Sequence, residues 1–382
     1  MTETSAIQTT VPAAAYKLTT ADAVAQKNQL IQSARGVAAL FVVLFHASWN
    51  CGRYFGESVW ATAFGGRFGV VGVAIFFTIS GMLMADLIQR TDPWRFLAHR
   101  MVRIYPPYLL AVAVLLVLIA THLATGGLSL HLFSLMLVPA GYRPYYLGVE
   151  WTLVFECTYY VGLFLIVLLG WRHHLNGIAL FWLLLIAAAS YFLPNDDRVL
   201  FPVYSIWLSA ANVAFIGGLF IPWLSKTPIP IGTGILALCI LMVMTPPNLM
   251  IDRWIAGIVA TLFVLDIVRV QVPQRALLGL PKLGDWSYAL YLCHAPVIVL
   301  VYHWWPSSTA VAMAWFAAVA MALVVAAAFG TLDVWMYKQF KSAVDRSDEE
   351  DRRRVVNIYA GVFAIASLTA LVFVAHPFGA TP

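Results

Sequence analysis

The sequence predicts an all-α protein, a polytopic bundle of about 10–11 transmembrane helices. Hydrophobic residues make up 62% of the 382 residues and charged residues only 11%, whereas soluble domains average about 45–50% and about 25%. The mean hydropathy is +0.82. Apolar runs of about 17–25 residues recur with few charges inside them, which favours membrane-spanning helices over barrel strands of about 10 alternating residues.

Eleven apolar segments are long enough to be read as spans. In chain order they lie near 35–50, 69–88, 104–121, 147–169, 177–193, 203–223, 231–246, 252–268, 284–302, 310–335 and 355–375. The apolar segment 128–139 is too short to cross a bilayer, so we expect an interfacial or re-entrant helix there.

The spans define four parts of the chain. Residues 1–29 lack the basic start, apolar core and cleavage site of a secretory signal, so we expect a poorly ordered cytoplasmic tail. Residues 30–335 form the transmembrane domain. The charged stretch 336–354 reads as a solvated cytoplasmic linker, and 355–382 adds one more transmembrane helix.

Lysine and arginine are distributed unequally between the two sets of loops. Alternate loops contain Arg90, Arg95, Arg100, Arg103, Arg172, Lys226, Arg269, Arg275, Lys282, Lys338, Lys341, Arg346 and Arg352 to Arg354. The other loops contain only Arg53, Arg67, Arg143, Arg198 and Arg253. Because basic loops stay in the cytoplasm, the N-terminus is predicted to be cytoplasmic, and eleven spans would place the C-terminus outside.

The +5 net charge does not indicate a nucleic-acid partner, because the basic residues lie in short loops between apolar segments. The cysteines Cys51, Cys157, Cys239 and Cys293 lack paired or metal-type spacing, which is typical of small core residues. His173 and His174 have no carboxylate or cysteine at ligand spacing, so no metal site is expected.

Arg35 and His46 lie in the first strongly apolar stretch, where ionisable side chains are costly and therefore indicate function. Their separation is 46 − 35 = 11 residues, within about 20° of three helical turns, so both project from one helix face about 16 Å apart. We expect the two groups to share one wet cavity that connects the two sides of the membrane.

Five segments form an ordered pattern: IQSARGVAALFVVLFHASW, GVAIFFTISGMLMA, RFLAHRMVRIYPPYLL, WTLVFECTYY and LGDWSYALYLCHAP. Together they resemble the membrane-bound acyltransferase-3 family and are similar to bacterial exopolysaccharide O-acetyltransferases. The resemblance covers about residues 30–335. It implies a multi-pass protein of the bacterial inner membrane that transfers an acyl group, usually acetyl, from cytoplasmic acetyl-CoA to a carbohydrate hydroxyl.

The resemblance also implies the partners. Acyl-CoA is a donor substrate, no cofactor is bound permanently, and the carbohydrate acceptor and membrane lipids are the other molecules in contact. Polysaccharide assembly machinery is a further candidate partner.

His46 is the expected catalytic residue, because an imidazole titrates near neutral pH and can accept the proton of a sugar hydroxyl as it attacks a thioester. It could instead carry the acyl group as an acyl-imidazole, or be a hydrogen-bonded structural histidine. Arg35 is expected to contact CoA or the thioester end of the site, with an interfacial anchor as the alternative.

Arg100 and Arg103 share one side of the third span and are expected to bind the phosphates of CoA. Plain positive-inside anchoring is their alternative. Glu156 lies inside the fourth span at a depth compatible with His46. It is expected to orient the imidazole, to stabilise its protonated form or to act as a second base; the alternative is a structural pair with an arginine. Many family members have a second acid next in sequence, where this chain has Cys157.

Aromatic and polar residues complete the predicted site. Trp151 and Tyr160 are expected to form part of a sugar-binding wall, unless they are interfacial belt residues. Tyr291 and His294 form a polar stripe with Ser287, so we expect them to face the interior and contact substrate; for His294 a structural hydrogen bond is the alternative.

Two other classes of function remain open at this stage. Buried His, Arg and Glu also build the midplane sites of transporters and flippases, although no inverted repeat is visible. A scaffold for polysaccharide assembly is the other alternative.

Overall fold

The computed structural model describes residues 20–128, 131–139, 145–193, 203–245, 247–272, 277–306 and 310–373. The protein is 81% helical, and these residues contain no strand, which confirms the all-α prediction. Arg143, Arg198 and Arg275, which the comparison of loops counts, lie outside the described residues.

Eleven long helices follow one another within the described residues. They are α1 (Thr20–Phe55), α2 (Gly66–Leu87), α3 (Pro93–Ala120), α4 (Trp151–Leu168), α5 (Leu175–Phe192), α6 (Asn212–Leu224), α7 (Thr233–Val243), α8 (Leu249–Arg269), α9 (Ser287–Trp304), α10 (Val311–Arg346) and α11 (Glu349–Phe373). Each coincides with one of the eleven predicted apolar segments. Short helical turns cover Val59–Thr62, Leu132–Leu135, Trp171–His174, Val203–Ile206 and Leu280–Asp285.

Side-chain caps fix where two of the site helices begin. The Asp92 carboxylate accepts the Arg95 N–H (3.0 Å) and precedes Pro93, the first residue of α3. The Asn248 side chain accepts the Ile251 N–H (2.9 Å) at the start of α8. Both contacts satisfy backbone donors that the first helical turn leaves without partners.

Among the described residues, six segments are long and apolar enough to cross a membrane by length and composition: Asn28–Phe55, Val59–Leu87, Pro93–Ala120, Trp151–Leu168, Trp171–Phe192 and Val311–Arg346. The expected spans at 203–223 and 231–246 contain helices of only 13 and 11 residues. At about 1.5 Å per residue neither helix alone covers about 30 Å of hydrocarbon.

Helices α2 and α6 approach each other more closely than ordinary side chains allow. A Cβ at Gly81 would overlap the Phe215 carbonyl oxygen, and one at Gly218 would overlap the Thr78 carbonyl oxygen. The Thr78 hydroxyl donates to the Ala214 carbonyl oxygen across the same contact (3.0 Å). Small residues therefore bring these two backbones together, as in many membrane helix pairs.

Helix α1 is joined to α9 and α10 by polar contacts in its C-terminal part. The Tyr302 hydroxyl donates to the Ala47 carbonyl oxygen (2.9 Å), and the Trp315 indole donates to the Ser48 hydroxyl (3.1 Å). These buried bonds hold α1 in fixed register beside α9, which is the contact that positions His46.

Two predicted connecting segments have more helix than the sequence indicated, and a third has less. Helix α1 begins at Thr20, inside the expected tail 1–29, of which residues 1–19 lie outside the described part. The expected linker 336–354 is helical except at Ser347 and Asp348. In 128–139, a single helical turn covers Leu132–Leu135.

Candidate active site

A cavity of about 690 Å³ surrounds His46 and is called the His46 cavity. It lies at the end of the bundle where α1 ends and α2 and α8 begin, and its lining includes Trp49, Arg53, Trp151 and Asp252. Cavities of about 300–1,000 Å³ are the size that ordinary ligands occupy. The volume is therefore sufficient for a sugar-sized molecule.

Hydrogen bonds define the tautomer of His46. Its Nδ1 lies 2.9 Å from the Val42 carbonyl oxygen, which can only accept, so Nδ1 carries the proton. The Nδ1 of His294 likewise donates to the carbonyl oxygens of Leu290 (3.0 Å) and Tyr291 (2.8 Å). The neutral His294 ring therefore presents an Nε2 lone pair to the His46 Nδ1–H, at 3.2 Å.

The remaining ring nitrogen of His46 is the chemically useful one. With Nδ1 protonated, Nε2 carries the lone pair of the neutral imidazole. This nitrogen has no hydrogen-bond partner within the part of the chain that the structure describes, and the residue lines the cavity. The arrangement can accept a proton or attack a carbonyl carbon.

A second cavity of about 130 Å³ contains Arg35 and is called the Arg35 cavity. Its lining brings together Arg35, Arg100, Arg103 and Glu156, with Tyr160 on one side. All three guanidinium groups act electrostatically on the Glu156 carboxylate. This cavity therefore has a cationic lining around one buried acid.

The three arginines differ in how they are held. Arg103 Nη1 lies 3.0 Å from a carboxylate oxygen of Asp333, whose side chain is fully buried in α10. Arg35 donates to Gln32 over a long 3.4 Å. The Arg100 Nε is buried without a partner among the described residues. Arg103 is therefore held in an ion pair, whereas the Arg100 guanidinium still has an N–H group that can bind a ligand.

Three side chains separate the two cavities. Val73, Phe77 and Tyr291 line both of them and form what we call the partition. The Tyr291 hydroxyl donates to the Val149 carbonyl oxygen (2.6 Å) and accepts from the Thr152 hydroxyl (2.6 Å). These two buried bonds hold the ring in place between the cavities.

The expectation of one cavity shared by Arg35 and His46 is wrong. The two residues lie on α1 as predicted, but each lines a different cavity. Between them Ala38, Ala39 and Val42 are buried by the neighbouring helices. Helical spacing determines which face of α1 a residue lies on. The packing of the other helices determines whether a continuous cavity follows that face.

The predicted pairing of Glu156 with His46 is also wrong. Glu156 lies five residues beyond Trp151 on α4, about 7.5 Å further along the axis, and lines the Arg35 cavity together with the arginines instead. This position of Glu156 agrees with the alternative interpretation, in which Glu156 interacts with an arginine. His46 is partnered by His294, which was singled out for substrate contact.

The predicted sugar-binding residues are divided between the two cavities. Trp151 lines the His46 cavity, and Tyr160 lines the Arg35 cavity near Arg100. Tyr291 belongs to both as part of the partition, and His294 is fully buried behind His46. Trp151 and Tyr160 therefore do not form a common wall.

Sequence reasoning missed two features of the site. Asp333 pairs with Arg103, although an acid inside the apolar segment FGTLDVW was visible in the sequence. Arg67 and Asp252 lie 3.5 Å apart (Nε to Oδ1) in the His46 cavity, where Arg67 had been assigned only to an outer loop. In the described residues, no group of three or more His, Cys, Asp or Glu could hold a metal ion.

Comparison with known proteins gives three findings. The family model described as "Acyltransferase domain" (Acyl_transf_3) matches residues 28–331. The exopolysaccharide production protein ExoZ of Rhizobium meliloti (strain 1021) is 29% identical over 279 residues, which is 68% of this chain and 82% of ExoZ. Nodulation protein 10 of Rhizobium leguminosarum bv. viciae is 32% identical over 148 residues, 32% of this chain and 39% of that protein.

No solved structure gives a significant match to the chain. The matched residues 28–331 contain both cavities, the His46–His294 pair and the partition. They make up well over half of the sequence, and the helices that carry them are long and apolar. The chain belongs to the acyltransferase-3 family and is a multi-pass membrane acyltransferase.

Proposed function

We propose that this protein transfers an acetyl group from acetyl-CoA to a hydroxyl of a cell-surface or exopolysaccharide sugar. The observation that carries the proposal is the lone-pair nitrogen of His46 in a sugar-sized cavity, separated by one partition from a cavity lined with arginine. The similarity to ExoZ, which is named as an exopolysaccharide production protein, supports the choice of acceptor.

The donor enters from the cytoplasm in this proposal. The bias of Lys and Arg between loops supports a cytoplasmic N-terminus in a bacterial inner membrane, which places the Arg35 cavity in the cytoplasmic half. Arg100 is best suited to bind a phosphate of CoA, because its Nε has no partner among the described residues. Arg35 lines the same cavity and is assigned a contact to CoA on the near side of the partition, so the thioester must extend past the partition to reach His46.

The chemistry at His46 is a proton transfer coupled to acyl transfer. The Nε2 lone pair removes the proton of the sugar hydroxyl as its oxygen bonds to the thioester carbonyl carbon. The carbon–sulfur bond then breaks, and the departing CoA thiolate takes a proton, which leaves an ester and free CoA. In the alternative order, Nε2 bonds to the acyl carbon as the carbon–sulfur bond breaks and CoA thiolate departs. The sugar oxygen then bonds to the acyl carbon as the bond to Nε2 breaks, and the hydroxyl proton passes to the thiolate.

His294 acts as a positioning residue for this step. Its Nε2 accepts from the His46 Nδ1–H and, with the Val42 carbonyl, keeps the other nitrogen unprotonated. Glu156 is assigned to the donor cavity, where it balances the charge of the arginines until the phosphates of the donor arrive.

The test is acetyl transfer from radiolabelled acetyl-CoA to the surface polysaccharide of the source cells, by the purified protein in nanodiscs. His46→Ala should lower the rate at least a hundredfold, since general-base catalysis typically contributes about 10²–10⁴-fold. His173→Ala, an exposed histidine far from the His46 cavity, is the matched control and should retain full activity. Undiminished transfer by a folded His46→Ala protein would overturn the proposal.

A further inference from the structure

The partition lies on the route that the proposed reaction requires. The Nε2 of His46 and room for a sugar are on one side of it, and the arginines assigned to the donor are on the other. A sugar ring is wider than the unbranched thioester end of acetyl-CoA, so the acyl group is the part that must cross. Every acyl group that reaches His46 therefore passes between Val73, Phe77 and Tyr291.

Helix α2, which carries two of the three partition residues, is held between α1 and α6. Gly72 and Gly81 lie on either side of those two residues. A Cβ at Gly72 would lie 2.7 Å from the Ala38 carbonyl oxygen of α1, and one at Gly81 would overlap the Phe215 carbonyl oxygen of α6. The backbone of α2 thus contacts its neighbours directly, so the helix has no space into which it could withdraw to widen the passage.

The side chains of the partition have little freedom of their own. The Tyr291 ring is fixed by the two hydrogen bonds of its hydroxyl. The Phe77 ring packs edge-on against the rings of Trp151 and Tyr159, at centroid distances of 6.5 and 5.6 Å. Val73 is the smallest of the three, and a β-branched side chain in a helix has one strongly preferred rotamer. The width of the passage is therefore set by three restrained side chains.

The cavity beyond the partition is too large to choose among short acyl groups. At about 690 Å³, the His46 cavity is several times larger than an acetyl or a propionyl group, so it offers neither of them a close fit. A close fit exists where side chains are packed together, and there one methylene can change a rate by about 10–200-fold. Selection by size therefore belongs to the partition.

We propose that the partition is an acyl-size filter: Val73, Phe77 and Tyr291 let acetyl reach His46 and hold back longer acyl groups. This inference rests on the proposed transfer from acyl-CoA and names the residues that choose the donor. Val73 is the position to vary, because it borders both cavities and its side chain forms no hydrogen bond that a substitution would remove. A smaller side chain there should widen the passage, and a larger one should close it.

The first experiment compares acetyl-, propionyl- and butyryl-CoA as donors to the surface polysaccharide, with the full-length protein in nanodiscs. For the unmodified protein, kcat/KM should fall about tenfold or more from acetyl to propionyl. Val73→Ala should reduce this preference severalfold, and so should Tyr291→Phe, which keeps the ring but loses both hydrogen bonds. Val70→Ala is the matched control and should leave the preference unchanged, because Val70 lines the His46 cavity but not the Arg35 cavity.

The second experiment follows the crossing itself and needs no glycan. Bromoacetyl-CoA has an electrophilic carbon next to its thioester carbonyl. When the His46 Nε2 attacks this carbon, a carbon–nitrogen bond forms as the carbon–bromine bond breaks, which leaves an imidazolium and a bromide ion. Peptide mass spectrometry measures the label on His46. Val73→Leu should slow labelling at least tenfold, whereas the control Val70→Leu should be labelled as fast as the unmodified protein.

The outcomes separate this inference from the proposed function. Equal kcat/KM for the three donors, or a preference that survives in folded Val73→Ala or Tyr291→Phe protein, would contradict the filter and leave acetyl transfer in place. If no glycan is acylated with any donor, the proposed function fails, and the labelling experiment still decides the filter. An unlabelled His46 in the unmodified protein, or equal labelling of folded Val73→Leu protein, would overturn it.

Discussion

The buried ion pair between Arg103 and Asp333 is the clearest test of stability at single residues. Asp333→Asn leaves the Arg103 guanidinium largely buried without its counter-ion, which should lower the free energy of unfolding by about 3–5 kcal/mol. Thermal unfolding of the detergent-solubilised protein measures the change.

The matched control is Asp86→Asn. Asp86 pairs with Arg90 on the protein surface, where both side chains are about two-thirds exposed, so its removal should change stability by less than about 1 kcal/mol. Equal effects of the two substitutions would show that burial does not govern the Arg103–Asp333 interaction.

His294 provides the second prediction at this scale. His294→Leu removes one of the two acceptors of the His46 Nδ1–H and leaves only the Val42 carbonyl, so kcat should fall at least tenfold, which corresponds to about 1.4 kcal/mol of lost transition-state stabilisation. The KM for acetyl-CoA should not change, because His294 does not line the Arg35 cavity.

Steady-state kinetics with His294→Gln separates positioning from packing. The glutamine side chain offers an amide oxygen as acceptor, so it should restore part of kcat. A glutamine variant as slow as the leucine variant would indicate that only the shape of the His294 ring matters.

At the scale of residues, the sequence identified which side chains lie in the candidate site, but it was a poorer guide to which of them contact each other. Arg35, His46 and Glu156 are costly inside apolar segments, and all three line cavities. The same rule would have found Asp333. The partners were misjudged because depth along one helix does not reveal how the neighbouring helices are rotated about their axes.

At the scale of helices, the contact between α2 and α6 depends on glycine. Gly218→Ala would place a methyl group against the Thr78 carbonyl oxygen, and both backbones would have to move. Overpacking typically costs about 1–3 kcal/mol, so the melting temperature should fall measurably.

Gly361→Ala is the comparison within a helix. Gly361 lies in α11 with open space around it, and alanine is the better helix former by about 1 kcal/mol. Thermal unfolding should therefore show a small gain or no change. A loss as large as that of Gly218→Ala would contradict a specific role for the α2–α6 contact.

The positions of the helices were predictable because each coincides with an apolar segment flanked by turn residues or charges. The lengths of the helices were less predictable. Charged residues alone suggested that a span ends near 335, yet α10 continues to Arg346, where Asp345 binds Arg95 (2.7 Å) and His99 (2.8 Å). Contacts with α3 thus stabilise a helical extension that the hydropathy pattern does not reveal.

At the scale of the whole molecule, topology is testable with alkaline phosphatase fusions, which are active only outside the cytoplasm. Fusions after Glu57 and at the C-terminus should be active, whereas fusions after Arg90 and Ser347 should be inactive. The short helices α6 and α7 do not alter this pattern, since they enter and return as a pair whether or not each crosses fully. An active fusion after Arg90 would reverse the orientation and exchange the assignments of the two cavities.

The partition has a consequence for the cell that contains this protein. A continuous water path through the bundle would let protons and small ions cross and discharge the membrane potential. Val73, Phe77 and the doubly anchored ring of Tyr291 interrupt such a path between the two cavities. Replacing Tyr291 with glycine should therefore make proteoliposomes leaky to protons, a cost to energy conservation that is distinct from any loss of product.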